Sequence, residues 1–345
     1  MKKIRVGING FGRIGRAFLK IARTRPELEI VVVNDLGDVH NLAYLLKYDT
    51  VYGAADFSVE AHDGENARLI IDDKEIKFLS EKDPVLLPWK SLGIDVVVEA
   101  TGAFASFEKA RQHLAAGAKR VVITAPVKDA PPPGVSAATV LMGVNEEKLQ
   151  TCDISANGSC TTNAGSPVLA VLHEVFGVEK ALLNTVHGYT ASQGVVDSPN
   201  KKDFRRGRAA AQNIVPSSTG AAIAVAKALP NLEGKFDGVA FRVPVAVGSI
   251  ADITAVLTRD TNAEEVNAVF KKAAATERWK NILTVTDEPI VSSDIIGNPY
   301  PAIVDLSFTR VVAGNLVKVL SWYDNEMGYA HTLVAHVIKT GSYVA

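Results

Sequence analysis

An apolar strand candidate, IRVGI, meets a helical stretch, IGRAFLKIA, across Gly10-Phe11-Gly12-Arg13-Ile14-Gly15. In this strand–turn–helix context each glycine has a mechanical task. Gly10 makes the tight turn, Gly12 lets a pyrophosphate approach the backbone, and Gly15 permits close helix packing. The helix N-terminus adds unpaired N–H donors for the anion. Asp35 ends a second apolar run, EIVVVND, 20 residues beyond Gly15. A carboxylate there accepts the two ribose hydroxyls of NAD and repels an adenosine 2′-phosphate. The arrangement predicts a dinucleotide site, against the plain alternative of a glycine turn and a strand-end acid.

The N-terminal half goes on alternating short apolar runs with helical periods: IDVVVEATG, FEKARQHLAAG, KRVVITAP. Continuous apolar strands between helices predict a mostly parallel sheet covered on both faces. The stretch Phe57–Phe78 is more polar and alternating, and reads as an antiparallel excursion. KDAPPPGVS reads as a surface connection. Beyond Asp153 the composition changes. SANGSCTTNAG leads into PVLAVLHEVFG, where Pro167 predicts an early helical turn or a kink. ALLNTVHGY, FDGVAFRVPV, SIADITAVLTR and NLVKVLSWY read as alternating strands, and GAAIAVAKALP, AEEVNAVFKKAAA and GYAHTLVAHVIK as helices. The fold class is therefore α/β: a Rossmann-type dinucleotide-binding domain with a second mixed, mainly antiparallel α+β catalytic domain.

At 345 residues the chain is long enough for two domains and needs no disulfide or metal to hold a core. Lys plus Arg total 37 and Asp plus Glu 38, a net charge of −1 that argues against a dedicated nucleic-acid partner. No apolar run reaches the length of a membrane span, and no membrane partner is expected. Its two cysteines, Cys152 and Cys160, are too close for a secreted disulfide framework and too few for a zinc site, so no metal is expected.

Cys160 lies among small and polar residues where a helix can begin, so backbone N–H groups there can lower the thiol pKa and bind an oxyanion. A buried, inert cysteine fits the local sequence equally well. His187, in NTVHGYT, is the candidate base, although a lone histidine is more often structural. Read together with the nucleotide site, the pair suggests a thiolate that turns an aldehyde into a tetrahedral hydride donor, with His187 taking the hydroxyl proton.

The chain resembles the phosphorylating glyceraldehyde-3-phosphate dehydrogenase family. INGFGRIGR, NDL, LLKYDTVYG, SCTTN, HGYT, RRGRAAAQNIVPSSTGAA, RVPV and DNEMGY occur in the family's order over nearly the whole sequence. The resemblance implies a glycolytic, cytoplasmic homotetramer with one NAD per subunit, acting through a cysteine thioester. It implies a nucleotide domain at residues 1–158 completed by a C-terminal helix at 325–345, and a catalytic domain at 159–324. By the same resemblance Cys160 is the nucleophile and His187 the base, and Thr190 and Arg242 meet the substrate phosphate. Ser159, Thr161, Thr219 and Gly220 meet inorganic phosphate, with an arginine of the Arg205–Arg208 stretch, Arg205 and Arg208 being the candidates. Asn9, Phe11, Arg13 and Ile14 surround the cofactor, Asn325 holds the nicotinamide carboxamide, and Tyr329 lies close to the ring.

Without the resemblance, FRRGR reads as a solvated basic loop and SSTG as a helix cap. The sequence also departs from the family pattern. Ala164 stands for a second cysteine, Met327 for a tryptophan, Ile223 for a lysine and Ser192 for an aspartate. Ser198-Pro199 stands where NAD-selective members carry leucine-proline. Erythrose-4-phosphate dehydrogenase, on the same scaffold and chemistry, is the nearest alternative activity.

Overall fold

The structure, a computed structural model, describes residues 2–201 and 203–344. The chain forms two compact units, Met1–Val140 with Glu146–Gly158 and Leu333–Ala345, and Leu141–Asn145 with Ser159–Thr332.

The first unit holds β1 (Ile4–Asn9), α1 (Arg13–Ala22), β2 (Leu28–Asn34), α2 (Val39–Lys47) and a small hairpin of β3 (Tyr48–Asp49) and β4 (Gly53–Ala54). There follow β5 (Val59–His62), β6 (Arg68–Ile71), β7 (Lys74–Leu79), β8 (Val96–Glu99), α3 (Phe107–Ala115), β9 (Arg120–Ile123), β10 (Ala137–Thr139) and β11 (Ile154–Ala156). Apart from the hairpin these make one sheet in the order β10-β11-β9-β8-β1-β2-β7-β6-β5. Seven strands are parallel, and β6 and β5 add an antiparallel edge. The excursion begun at Phe57 thus returns to the parallel sheet at β7, which pairs with β2. Val6, Ile8 and all four residues of β8 are buried, as a strand covered on both faces demands. The chain order reverses beside β1, so the glycine turn lies where such sheets bind ligands.

The second unit holds α4 (Cys160–Phe176), β12 (Val178–Gly188), β13 (Val215–Ser218), α5 (Ala221–Ala228), β14 (Phe236–Val243), β15 (Ser249–Leu257), α6 (Ala263–Ala274), β16 (Leu283–Thr286), β17 (Ala302–Val312) and β18 (Leu316–Tyr323). The last helix, α7 (Met327–Gly341), starts in this unit and ends in the first. The sheet order is β13-β14-β12-β15-β18-β17-β16, with only β12–β14 and β16–β17 parallel. This is the mixed, mainly antiparallel second domain that the alternation predicts. Along β12 the residues Ala181, Leu183, Thr185 and His187 turn inward, while Leu182, Asn184 and Val186 turn outward. Helix α4 packs on the inner face through Val168, Leu169 and Leu172, with Leu183, Ile253 and Val319 opposite. Pro167 sits inside α4 rather than in its first turn, and the helix runs on through it. The missing N–H costs one intrahelical bond, and complete burial of the surrounding turns holds the helix together.

Candidate active site

The nucleotide turn is built almost wholly from backbone. Gly10 adopts φ +99°, and a Cβ there would lie 2.6 Å from the Ala100 carbonyl carbon and the Thr101 nitrogen. Gly15 rests against the Gly10 carbonyl. Gly12 caps α1 with no side-chain hydrogen bond, and a Cβ there would meet open space. A pyrophosphate therefore has free access to the N–H groups of the first turn, so these residues fit a dinucleotide. Asp35, at the end of β2, accepts the Phe11 N–H at 2.6 Å on Oδ2 and the Gly37 N–H at 2.8 Å on Oδ1. Each oxygen keeps a lone pair for a ribose hydroxyl.

Asn9 is buried, with Nδ2 donating to Glu99 at 2.6 Å and Oδ1 accepting from Asn34 at 2.7 Å. Its side chain thus fixes the ends of three adjacent strands. Phe11 is fully buried, and Ile14 is half-buried at the start of α1. Arg13 pairs with Asp49 at 2.8 Å, tying the turn to the β3–β4 hairpin. Among the described residues no three His, Cys, Asp or Glu side chains gather as a metal site would require.

The second unit assembles the reactive groups from four elements. Ser159 caps α4: its Oγ accepts the Thr162 N–H at 3.1 Å, and the Thr162 hydroxyl accepts the Ser159 N–H at 3.1 Å. Cys160 is the first residue of the helix, and its Sγ lies 3.3 Å from His187 Nε2. Residue 187 faces Arg242 across the parallel β12–β14 ladder. Arg242 Nη1 lies 2.6 Å from His187 Nδ1 and donates to the Gly188 carbonyl at 3.2 Å. Thr161 shares a hydrogen bond of 2.9 Å with the Tyr323 hydroxyl, which lies 2.7 Å from Thr185 Oγ1.

Burial dominates the electrostatics. It pushes the Cys160 thiol up, against the pull of the Arg242 charge and the Thr161 N–H. Burial, reinforced by the Arg242 charge, pushes His187 down to about 3. The ligand-free pair is therefore a neutral thiol beside a neutral imidazole. A helix start alone favours a lowered thiol pKa, and here desolvation outweighs it.

Thr190 bonds Ser192 at 2.9 Å through the two hydroxyls, so the residue in the usual aspartate position steadies the threonine without adding charge. Thr219 accepts the Ala221 N–H at 3.2 Å, and Gly220 is the cap of α5, which makes this segment a true helix start. The arginines of the basic stretch divide between two environments. Arg205 and Arg208, with side chains 65% and 62% exposed, pair with Asp203 and Asp197. Arg206, its side chain 24% exposed, donates to the Ser218 carbonyl at 3.2 Å and lies 3.9 Å from the same Asp203, and its charge is felt by Arg242. A single turn of 3-10 helix over Phe204–Gly207 sends neighbouring arginines in different directions, which linear reading does not resolve.

Asn325 is buried and accepts two hydrogen bonds on Oδ1, from the Gly248 N–H at 3.2 Å and the Ser249 hydroxyl at 2.9 Å. Tyr329 is buried on α7. Sequence reasoning missed Tyr323 and Ser249, and left open which arginine of the Arg205–Arg208 stretch turns inward. The strict alternation of β18 places Tyr323 on the inner face with Val319 and Ser321, a signal that was available. Cys152 is buried, and burial pushes its thiol up as it does that of Cys160; what sets Cys160 apart is His187 Nε2, 3.3 Å from its sulfur. Ala164 is packed in the core, and Ile223 is exposed on α5.

Comparison with known proteins agrees with this geometry. Residues 4–107 match the family model described as the NAD binding domain of glyceraldehyde 3-phosphate dehydrogenase, and residues 159–325 match that of its C-terminal domain. A glyceraldehyde-3-phosphate dehydrogenase of Streptomyces coelicolor is 48% identical over 342 residues, 98% of this chain and 99% of that protein. One from Geobacillus stearothermophilus is 46% identical over 344 residues, covering 99% of this chain and 98% of its own. A glyceraldehyde-3-phosphate dehydrogenase B of Aspergillus oryzae is 45% identical over 341 residues, with 98% and 99% covered. A nucleotide turn open to a pyrophosphate, a cysteine at the first position of a helix held against a histidine, and this full-length similarity lead to one conclusion: the chain belongs to the glyceraldehyde-3-phosphate dehydrogenase family.

Proposed function

We propose that the chain performs the NAD-dependent, phosphorylating oxidation of glyceraldehyde 3-phosphate through a thioester on Cys160. The activity and its cofactor follow from family membership. The residue roles rest chiefly on one observation, the 3.3 Å approach of Cys160 Sγ to His187 Nε2 at the start of α4.

Arg242 presents a charge-assisted fork to the substrate phosphate, with the Thr190 hydroxyl beside it. Cys160 adds to the aldehyde carbon as its thiol proton passes to the carbonyl oxygen, forming a hemithioacetal, and the Cys160 backbone N–H steadies that oxygen. Burial and the Arg242 charge keep the ligand-free His187 neutral, and substrate phosphate on Arg242 would offset that charge and strengthen the imidazole as acceptor of the hydroxyl proton. NAD, when bound, would supply the hydride acceptor at this carbon; loss of that hydride, together with the hydroxyl proton taken by His187, would leave the Cys160 thioester. Ser159, Thr161, Thr219 and Gly220 hold inorganic phosphate, with Arg206 as the loop arginine in place of Arg205 or Arg208. Tyr323 keeps the Thr161 hydroxyl in place. Attack of phosphate on the thioester carbonyl expels the Cys160 thiolate and releases 1,3-bisphosphoglycerate.

Residues 1–158 with the helix at 325–345 form the nucleotide domain of this reading, and 159–324 the catalytic domain. A cytoplasmic homotetramer completes it. The register of β12, β14, β15 and β18 places the exposed Leu182, Val186, Val239 and Leu316 on one sheet face. Val195, Val196 and Phe204 are exposed on the long loop, and such apolar groupings mark protein contacts. Both cysteines are free, in keeping with a reducing compartment. No helix of the described residues is long and apolar enough to cross a membrane.

The decisive experiment is to mix protein, NAD and aldehyde without phosphate and map the acyl group by peptide mass spectrometry. Acylation of Cys160 is expected; acylation of Cys152, or NAD reduction with no acyl-enzyme, overturns the assignment. Turnover of glyceraldehyde 3-phosphate and erythrose 4-phosphate, each with and without phosphate, separates the two enzyme activities.

A further inference from the structure

Between the base and the proposed nicotinamide ligand lies a side chain to which no role has been given. Ser249, at the start of β15, is 1% exposed. Its Oγ lies 3.1 Å from the Gly188 nitrogen and 2.9 Å from Asn325 Oδ1. The Gly248 nitrogen lies 3.2 Å from the same Oδ1.

The directions of these bonds follow from what each group can do. A backbone N–H only donates, so the amide atom facing Gly248 is the oxygen of Asn325. The Gly188 N–H likewise takes a lone pair of Ser249, whose single proton is then free for Asn325 Oδ1. Two donors therefore converge on the amide oxygen and leave Nδ2 on the other side. Flipping the amide would set its NH2 against the Gly248 N–H and orphan a buried donor, at a cost that water cannot relieve here.

We infer that Ser249 is a positioning residue that holds Asn325 with its NH2 outward, so that the chain reads the carbonyl oxygen of the nicotinamide carboxamide and fixes how the ring lies. The inference rests on the reading of Asn325 as the carboxamide ligand. It goes further in linking that ligand to the base, because Gly188, whose N–H Ser249 accepts, also carries, in the next peptide unit, the carbonyl 2.7 Å from His187 Nδ1. One hydroxyl thereby braces both the amide that orients the cofactor and the residue whose carbonyl faces the base.

The test is calorimetric titration of the full chain, stripped of nucleotide, with NAD and with ADP-ribose, which lacks the nicotinamide. Ser249→Ala should weaken NAD about tenfold, the scale of one lost hydrogen bond, and leave ADP-ribose within about twofold. Transfer from stereospecifically deuterated NADH should become less selective. Asn325→Ala should lose the same discrimination. An equal loss for both ligands in Ser249→Ala would reveal a merely structural role and overturn the inference. Unchanged discrimination in Ser249→Ala, with loss in Asn325→Ala, overturns the role of Ser249 alone. Unchanged discrimination in Asn325→Ala overturns the underlying reading of Asn325. Should Ser249→Ala not fold, Ser249→Cys, similar in size but a poor donor, is judged by the same outcomes.

Discussion

The nucleotide turn and the thiol pocket solve the problem of placing a ligand in opposite ways. In the turn the groups that matter are backbone N–H donors, and the sequence contributes by leaving side chains out: a Cβ at Gly10 has no room, and one at Gly12 would stand in the approach. The thiol pocket is made of side chains carried by α4, β12, β14 and β18, and its order depends on sheet register and on hydrogen bonds between distant residues. Backbone sites are local and tolerate little substitution at a few glycines. Side-chain sites are dispersed, and can be taken apart one role at a time.

That contrast can be broken by substitution. Cys160→Ala should reduce turnover by about 10⁴-fold or more, as removal of a covalent nucleophile does, while NAD affinity stays within about twofold by calorimetry. Loss of NAD affinity in that variant would show that the two sites are not separable. His187→Asn should slow single-turnover NAD reduction by about 10²–10⁴-fold, the usual share of a general base. Gly10→Ala should show the reverse pattern. Its φ of +99° and the 2.6 Å overlaps predict at least about a tenfold weaker NAD and a stability loss of about 2–4 kcal/mol. Iodoacetamide should still alkylate Cys160 in it at the parent rate.

Two smaller effects sharpen the comparison. Arg206→Ala should raise the KM for inorganic phosphate about tenfold, the scale of one charge-assisted contact, whereas Arg205→Ala and Arg208→Ala should change it less than about twofold. Equal effects from all three would return the stretch to a diffuse basic surface. Each unit also buries a neutral histidine, His336 in the first and His187 in the second, both pushed down to about 3 by burial. An unfolded histidine binds its proton near 6.5, so between about 3 and 6.5 the unfolded chain holds more protons. Stability from these groups is thus complete above 6.5 and is lost as pH falls toward 3. Unfolding free energies from denaturant titrations should drop by about 1 kcal/mol per histidine from pH 7.5 to 5.5, and His336→Gln should shrink the slope.

The same contrast decides what could be read before the fold was seen. The glycine turn and Asp35 were legible because their meaning is contained in a strand, a turn and a helix. Strands β1, β2, β8 and β9 were legible as unbroken apolar runs. β17 was not, because Asp305 and Arg310 interrupt AIVDLSFTRVV. Asp305 is in fact buried, bonded to the Ser307 hydroxyl at 2.6 Å and the Trp322 indole at 3.1 Å. An acid satisfied from a neighbouring strand looks like a surface acid in one dimension. Helix α2 went unread for a plainer reason: a nine-residue segment capped by Asp38 lies inside a polar context. In the pocket, Cys160 at a helix start was legible. The meeting of His187 with Arg242 was not, since it depends on β12 running parallel to β14 in one register.

That register has a consequence for how the protein can vary over generations. On β12, Thr185 and His187 face the chemistry, while Leu182 and Val186 face outward on the surface proposed for assembly. Losing or gaining one residue in the strand would put Val186 where His187 stands and invert both faces together. Ladders on both sides, to β14 and β15, hold it against such a slip. Point substitutions can therefore reshape the outer face while the inner one is left alone, but changes of length are confined to the loops. On the proposed reading, room for change in subunit contacts and constancy of chemistry are inherited on alternate residues of one strand.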